Sequence, residues 1–124
     1  MAPKPVNVTS ALSRIAAPWQ PHRLVTVNEQ EVKAVKLLGE FVWHSHEVDE
    51  LFYVLEGTLH IDIRESGAES TVTLNSGDMV VVPARMEHKP HCEAEVHALL
   101  FEPKGVVNTG DAGGEMTSEV KELE

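Results

Sequence analysis

Along most of this chain, apolar and polar side chains alternate with a period of two. That is the repeat of a half-buried β-strand rather than of a helix. Thr58 to Arg64 shows it best, with Leu59, Ile61 and Ile63 on one face and His60, Asp62 and Arg64 on the other. Further short runs fall at Leu24 to Val27, Val32 to Leu38, Phe41 to His46, Leu51 to Leu55, Thr71 to Leu74, Met79 to Val82 and Val96 to Glu102. Turn-forming stretches punctuate them, among them Ser66-Gly67-Ala68 and Asn75-Ser76-Gly77-Asp78. Strands this short and so spaced predict an all-β sandwich or barrel. One different stretch precedes them. Asn7 to Ala17 predicts a short N-terminal helix capped by Thr9 or Ser10. Leu12, Ile15 and Ala16 would share its buried face, and Pro18 and Pro21 would end it.

A chain of 124 residues is sized for one domain. The pattern divides it into an arm and helix over 1–21, a barrel over 22–104 and an acidic, glycine-containing tail over 105–124. Ten basic residues against twenty acidic ones give a formal charge of −10, which disfavours nucleic acid or an anionic membrane as partner. Part of that charge sits between Asp111 and Glu124, and such a run reads as a solvated tail. Packing on the barrel or on a partner chain is the other reading. Cys92 is the single cysteine, so no intrachain disulfide forms, which fits a reducing compartment. The N-terminus shows no basic segment followed by an apolar one, and runs such as Met79 to Ala84 are too short to span a bilayer. The expected location is therefore cytoplasmic.

The candidate chemistry lies in two glycine-framed runs. The first, from Gly39 to Gly57, holds His44, His46 and Glu50; the second, from Gly77, ends at His88. Residues two apart on a strand point to the same face, so His44 and His46 aim at one pocket. Glu50 follows at an even offset, and a bend through Val48-Asp49 brings its carboxylate to the same place. A His-x-His pair alone is a weak signal, but a closed barrel would lay His88 beside it. Three imidazoles and one carboxylate would hold one divalent transition metal (Fe, Mn, Ni, Zn, Co or Cu) and leave positions open for water, oxygen or substrate. Each ring needs an acceptor on its other nitrogen, and Glu47, Asp49 or backbone carbonyls are the candidates.

These residues resemble the small single-domain cupins. In that family a first motif runs Gly, His-x-His, Glu, Gly, and a second runs Gly, Pro-x-Gly, His, Asn. His44, His46, Glu50 and His88 fall on the four ligand positions, Gly57 on the closing glycine, and Gly77 and Pro83 on the start and turn of the second motif. The match covers roughly Leu24 to Pro103. Gly39 stands one residue closer to His44 than usual, Arg85 replaces the second-motif glycine, and Cys92 replaces the asparagine. The resemblance implies a double-stranded β-helix, the cupin jelly-roll barrel, with the metal inside. It also implies a homodimer.

Other residues have two readings each. His97 shares a face with Leu99 and Phe101; if that face is interior it is a catalytic acid or base at the pocket mouth, and otherwise it is structural. Arg85, just before His88, would either bind a substrate carboxylate or phosphate or stand in solvent on its turn. His60, His91 and His22 read as outside the pocket, Cys92 as a small buried apolar group, and Trp43 as a contact between sheets or between subunits. The expected function is a metal-dependent enzyme acting on a small polar organic molecule, either an oxygenase or an isomerase or lyase working by metal-assisted enolisation. The alternative is a non-catalytic metal- or ligand-binding sensor module. Against a sugar-phosphate substrate stands the lack of a lysine- or arginine-rich cradle.

Overall fold

Asn7 opens the first element. Its Oδ1 accepts the Ser10 N–H at 2.8 Å and caps α1, Val8–Leu12. The helix is shorter than predicted and its cap lies two residues earlier. After Leu12 the chain continues in tighter turns, with Ile15 N–H donating to the Leu12 carbonyl at 3.1 Å, before Pro18 disfavours any further helix. Leu12 and Ile15 bury against Ala34, with Leu24, Leu55 and Leu99 around them. The computed structural model describes residues 2–122. Met1 of the expected arm and Leu123 and Glu124 of the expected tail lie outside the described residues.

The strands are β1 His22–Val27, β2 Gln30–Glu40, β3 Glu50–Glu56, β4 Leu59–Glu65, β5 Ala68–Leu74, β6 Met79–Val82, β7 Glu87–Pro103 and β8 Lys121–Glu122. The fold is the expected mostly-β barrel with one short helix. β7 organises it. Along one edge it pairs antiparallel with β2, from Glu40 against His91 to Gln30 against Pro103. Along the other it pairs first with β4 (Ile63 against His88) and then with β3 (Phe52 against Leu100). β5 extends β4, β6 extends β3, and β1 extends β2.

Two predicted strands need correction. Val96 to Glu102 is only the second half of β7, which begins at Glu87. The first half escaped the apolar pattern because its inward positions are His88, Pro90 and Cys92, and Glu93 to Glu95 are exposed. Phe41 to His46 is not a strand. It is held beside β7 by an isolated bridge, with His44 N–H donating to the His88 carbonyl at 3.0 Å and His88 N–H returning at 2.9 Å.

Alternate positions of β2, β3, β4 and β7 fill the barrel. Val35, Leu37, Phe52, Val54, Leu59, Ile61, Val96, Ala98 and Leu100 form one continuous core. The C-terminal stretch is not a solvated tail. It folds back over one mouth of the barrel, buries Thr109 completely, and ends with β8 lying parallel to β1. Asn108 pins it by donating to the carbonyls of Trp19 at 3.0 Å and Met116 at 2.9 Å and accepting from Ser118 N–H at 2.8 Å.

The β3–β4 turn depends on Gly57, which has φ +96. A Cβ there would stand 3.1 Å from both the Glu95 carbonyl oxygen and Val96 Cγ2. Gly57→Ala should therefore destabilise the barrel by about 1–3 kcal/mol, through left-handed strain and the contact with β7. Urea unfolding monitored by tryptophan fluorescence would measure it.

Candidate metal centre

Three backbone elements deliver the four side chains. His44 and His46 come from the stretch bridged to β7, Glu50 opens β3, and His88 is the second residue of β7. Inward parity at His88 follows from its place in register with Ile63, a core residue. The stretch is tied down at both ends, with Phe41 N–H donating to the Pro90 carbonyl at 2.9 Å and Arg85 N–H to the His46 carbonyl at 2.7 Å. All four side chains are buried, and one ligand atom from each lies within 4.8 Å of the others.

Hydrogen bonds set the tautomers. His44 Nδ1 lies 2.9 Å from the Val42 carbonyl, and His88 Nδ1 lies 2.9 Å from the Met86 carbonyl. A carbonyl only accepts, so each Nδ1 carries the proton and each Nε2 keeps a lone pair. For these two rings the orienting acceptors are thus backbone carbonyls rather than Glu47 or Asp49. Asp49 instead accepts Ala84 N–H at 2.8 Å, and Glu47 is exposed. Glu50 Oε1 stands 3.5 Å from both His46 Nε2 and His88 Nε2. These three buried atoms have no hydrogen-bond partner. Three convergent acceptors without a donor would be costly to bury. A divalent cation at their centre would remove that cost, so the donor set fits the metal that the spacing suggested.

Electrostatics agree. Burial, reinforced by His88, pushes His44 down to about 4 and lowers His46 as well. Burial raises the Glu50 carboxyl, but the neighbouring His88 and His46 imidazoles outweigh it, so the acid stays below its usual range. A neutral imidazole and an ionised carboxylate are the forms a metal binds.

The sequence pattern of the cupin domain family matches residues 35–102. The chain belongs to the cupin family. Among solved structures, this cupin is similar to a cupin-2 domain protein from Shewanella frigidimarina, at 38% identity and TM-score 0.75, covering 80% of this chain and 94% of that one. It is also similar to hydroquinone 1,2-dioxygenase from Sphingomonas, at 25% identity and TM-score 0.72, covering 78% of this chain but 31% of that one. Among curated proteins it is 35% identical over 63 residues to 3-hydroxyanthranilate 3,4-dioxygenase of Bacillus cereus, half of this chain and 35% of that protein. The Xenopus laevis enzyme of the same name is 37% identical over 60 residues, only 21% of its length. This cupin thus spans about a third or less of the curated dioxygenases it matches.

Beside the cluster lies a small cavity of about 30 Å³. Its walls are Trp19, Phe41, Phe52, Pro90 and Leu100, with His44, Glu50 and Asn108 as polar edges. Trp19 stacks on Phe41 at 4.6 Å between ring centroids, and Phe41 meets the His44 ring edge-on at 5.2 Å. Neither Trp19 nor Asn108 was foreseen from the sequence. Trp19 stands among prolines outside any strand pattern, and Asn108 lies in the stretch taken for a tail.

The other expected site residues stand elsewhere. His97 is not at the pocket, because its neighbours Val96 and Ala98 are the inward positions of β7. Its ring instead meets Glu95 at 2.8 Å and Glu56 at 3.3 Å on the outer face, beside α1. Arg85 lies on a turn next to the ligand stretch, but its side chain is exposed and reaches Glu47 at 3.7 Å rather than the cavity. Its φ of +66 shows it taking the backbone shape left by the missing glycine. His60 and His91 stack outside the barrel at 5.3 Å, where His91 also meets Asp62 at 2.9 Å. Trp43 packs on the outer face beneath Arg64, whose guanidinium carbon lies 4.2 Å from the ring centroid.

Two outcomes follow. His46→Ala should lower affinity for Mn(II) or Co(II) by at least about a hundredfold, more than loss of a mere ligand-orienting group, while the circular dichroism of the barrel is retained; titration calorimetry measures it. For metal-free protein, His44 adds a pH dependence of defined sign. Its folded value is near 4 against 6.5 unfolded, so the unfolded chain takes up a proton first as pH falls. The contribution of His44 is complete above pH 6.5 and is lost between about 6.5 and 4. Urea unfolding in chelator at pH 7 and 4.5 should therefore show wild type losing on the order of 2 kcal/mol relative to His44→Gln, which cannot titrate.

Proposed function

We propose that this cupin is a metal-dependent oxygenase acting on a small, flat, electron-rich aromatic such as a diol or an aminophenol. The observation that carries this reading is the cavity. It opens onto His44 and Glu50, its walls are aromatic and aliphatic, and no lysine or arginine lines it. A sugar phosphate would find no cation there, and a polar metabolite would lose its hydration for little return. A ring would stack on Trp19 and Phe41. The similarity to the 3-hydroxyanthranilate and hydroquinone dioxygenases supports the same choice. Enolisation needs a base beside the metal. Among the described residues, the cavity wall offers no titratable group besides two of the ligands, and His97 lies outside.

In this reading His44, His46, Glu50 and His88 hold the ion. The bound metal would supply Lewis-acid polarisation of a phenolic oxygen and one-electron chemistry toward dioxygen. The protein's own work is positioning and exclusion of water. Trp19 and Phe41 fix the plane of the ring, and Phe52 and Leu100 keep the far side dry. A cavity of about 30 Å³ has room for one or two waters and not for an aromatic ring. Substrate entry therefore displaces the strap around Asn108 together with Trp19, which that strap holds.

The test is oxygen uptake by Fe(II)-reconstituted protein given catechol, hydroquinone or 2-aminophenol. Uptake matched to substrate loss, with a ring-opened product absorbing at longer wavelength, is the expected result. Stoichiometric iron with no uptake on any phenol would reject the oxygenase reading. Ligand binding without turnover would then move this cupin to the sensor class.

A further inference from the structure

The outer surface of the barrel is divided into two unlike halves. On β4, β5 and the first half of β7 the outward positions are polar or charged. Asp62 stands between Thr71 and Lys89, and Arg64 between Glu69 and Glu87. These side chains satisfy one another, with Thr71 donating to Asp62 at 2.8 Å and Arg64 to Glu87 at 3.1 Å. The other half is apolar. Register sets Val25 of β1 beside Val32 of β2, and Val32 beside Phe101 of β7. Phe101 stands beside Leu51 of β3, and Leu51 beside Val81 of β6. That is one apolar row across five strands. The next outward row holds Ala34, Leu99, Tyr53 and Met79. Neither row contains a charged side chain.

The chain covers one corner of this face itself. Leu12 and Ile15 of the N-terminal segment bury Ala34 and pack beside Leu99 and Leu55. The rest stays open: Phe101 is 37% exposed, Val81 50% and Met79 61%. Five strands about 4.8 Å apart, with outward rows about 7 Å apart, make an apolar patch on the order of 400 Å². A monomer seldom leaves a larger one to water. A standard interface takes about 800 Å² from each partner. The shallow hollow that continues the face past Phe101 and Val81, walled by Gln30, Val48, Ala84 and Pro103, adds to the surface available.

Charge decides the occupant. The chain carries a formal −10, so two copies repel wherever their charged surfaces meet. The uncharged rows are where that repulsion is least. Unlike partners select one another largely by complementary charge, and these rows offer none. A second copy needs none, because a two-fold axis brings the same rows together and two apolar sheet faces pack about 10 Å apart.

We propose that the outer face of β1, β2, β7, β3 and β6 is the interface of a homodimer, with Phe101, Leu51 and Val81 at its centre. The proposal rests on neither the metal nor the reaction.

The experiment is sedimentation of the full chain over a range of concentrations, with circular dichroism to check folding. Wild type should be a dimer with a Kd of about 10 µM or tighter. Raising salt from about 50 to about 500 mM should leave that Kd unchanged or tighten it, since screening weakens the repulsion between acidic copies. Val81→Glu/Phe101→Glu places like charges across the two-fold axis and should weaken the dimer at least about a hundredfold with the barrel still folded. If the double variant does not fold, Val81→Glu alone carries the test, with an expected loss of at least about tenfold. Thr71→Glu, on the charged half, should stay within about threefold of wild type. A wild-type monomer at every concentration would overturn the proposal. So would a dimer that the Val81 and Phe101 variants leave intact, which would place its contact elsewhere. An equal loss with Thr71→Glu would make net charge the cause and also overturn it.

Discussion

The inward parity of β7 is the constraint on which the rest of this molecule depends. One strand supplies His88 at its start, the core residues Val96, Ala98 and Leu100 in its middle, and Glu102 near its end, all on the same face. A slip of one residue would turn that whole set to solvent. Stability and site geometry are therefore one requirement here. The hydrophobic burial that keeps Val96 and Leu100 inside also keeps the His88 ring against His44, 4.2 Å away between centroids. Because β7 changes partner from β4 to β3 along its length, it also sets how far Glu50 and the histidines stand from one another.

The barrel interior is divided by polarity. One end is a dry core. At the other end, three imidazoles, three carboxylates and a lysine share a buried space, and no single pair accounts for the balance of charge. Burial lowers His44 and His46, the imidazoles around Glu50 hold it below the usual carboxylate range, and burial raises Glu102, while Lys33 neutralises part of the negative charge. Such a site attracts a divalent ion without needing a second metal or an outer counter-charge. The cavity beside it is lined by aromatic rings, so the polar chemistry is confined to one wall. The strap over the mouth is tied to the ligand stretch, with Ser45 N–H donating to Asp111 Oδ1 at 2.7 Å. Gly110 permits this closeness. A Cβ there would come 2.1 Å from the Ser45 carbonyl oxygen and 3.0 Å from His46 Nδ1. Access to the metal and the packing of its ligands are coupled at this one point.

Much of this was legible in the chain. The period-two pattern of Leu59, Ile61 and Ile63 showed strands because burial on one face leaves that mark wherever the buried side chains are apolar. Where they are not, the mark vanishes. The first half of β7 is inward through His88, Pro90 and Cys92, and no apolar alternation marks it as strand. Lys33 shares a face with Val35 and Leu37, yet a charge there reads as solvent-facing until its partners are known. Short-range spacing likewise revealed His44, His46 and Glu50, since parity on one stretch needs no fold to be computed.

By itself, then, the sequence determined the class of fold, the four ligand types and the acidic balance, all properties of local pattern and composition. Tertiary structure decided what depends on distant strands meeting. It placed His97 outside by giving the inward positions to Val96 and Ala98, and it turned a presumed tail into the wall that holds Trp19. It also joined Lys33 to Glu102, 69 residues away, beside Glu50. Such contacts follow from register and closure of the barrel, and no window along the chain contains both partners.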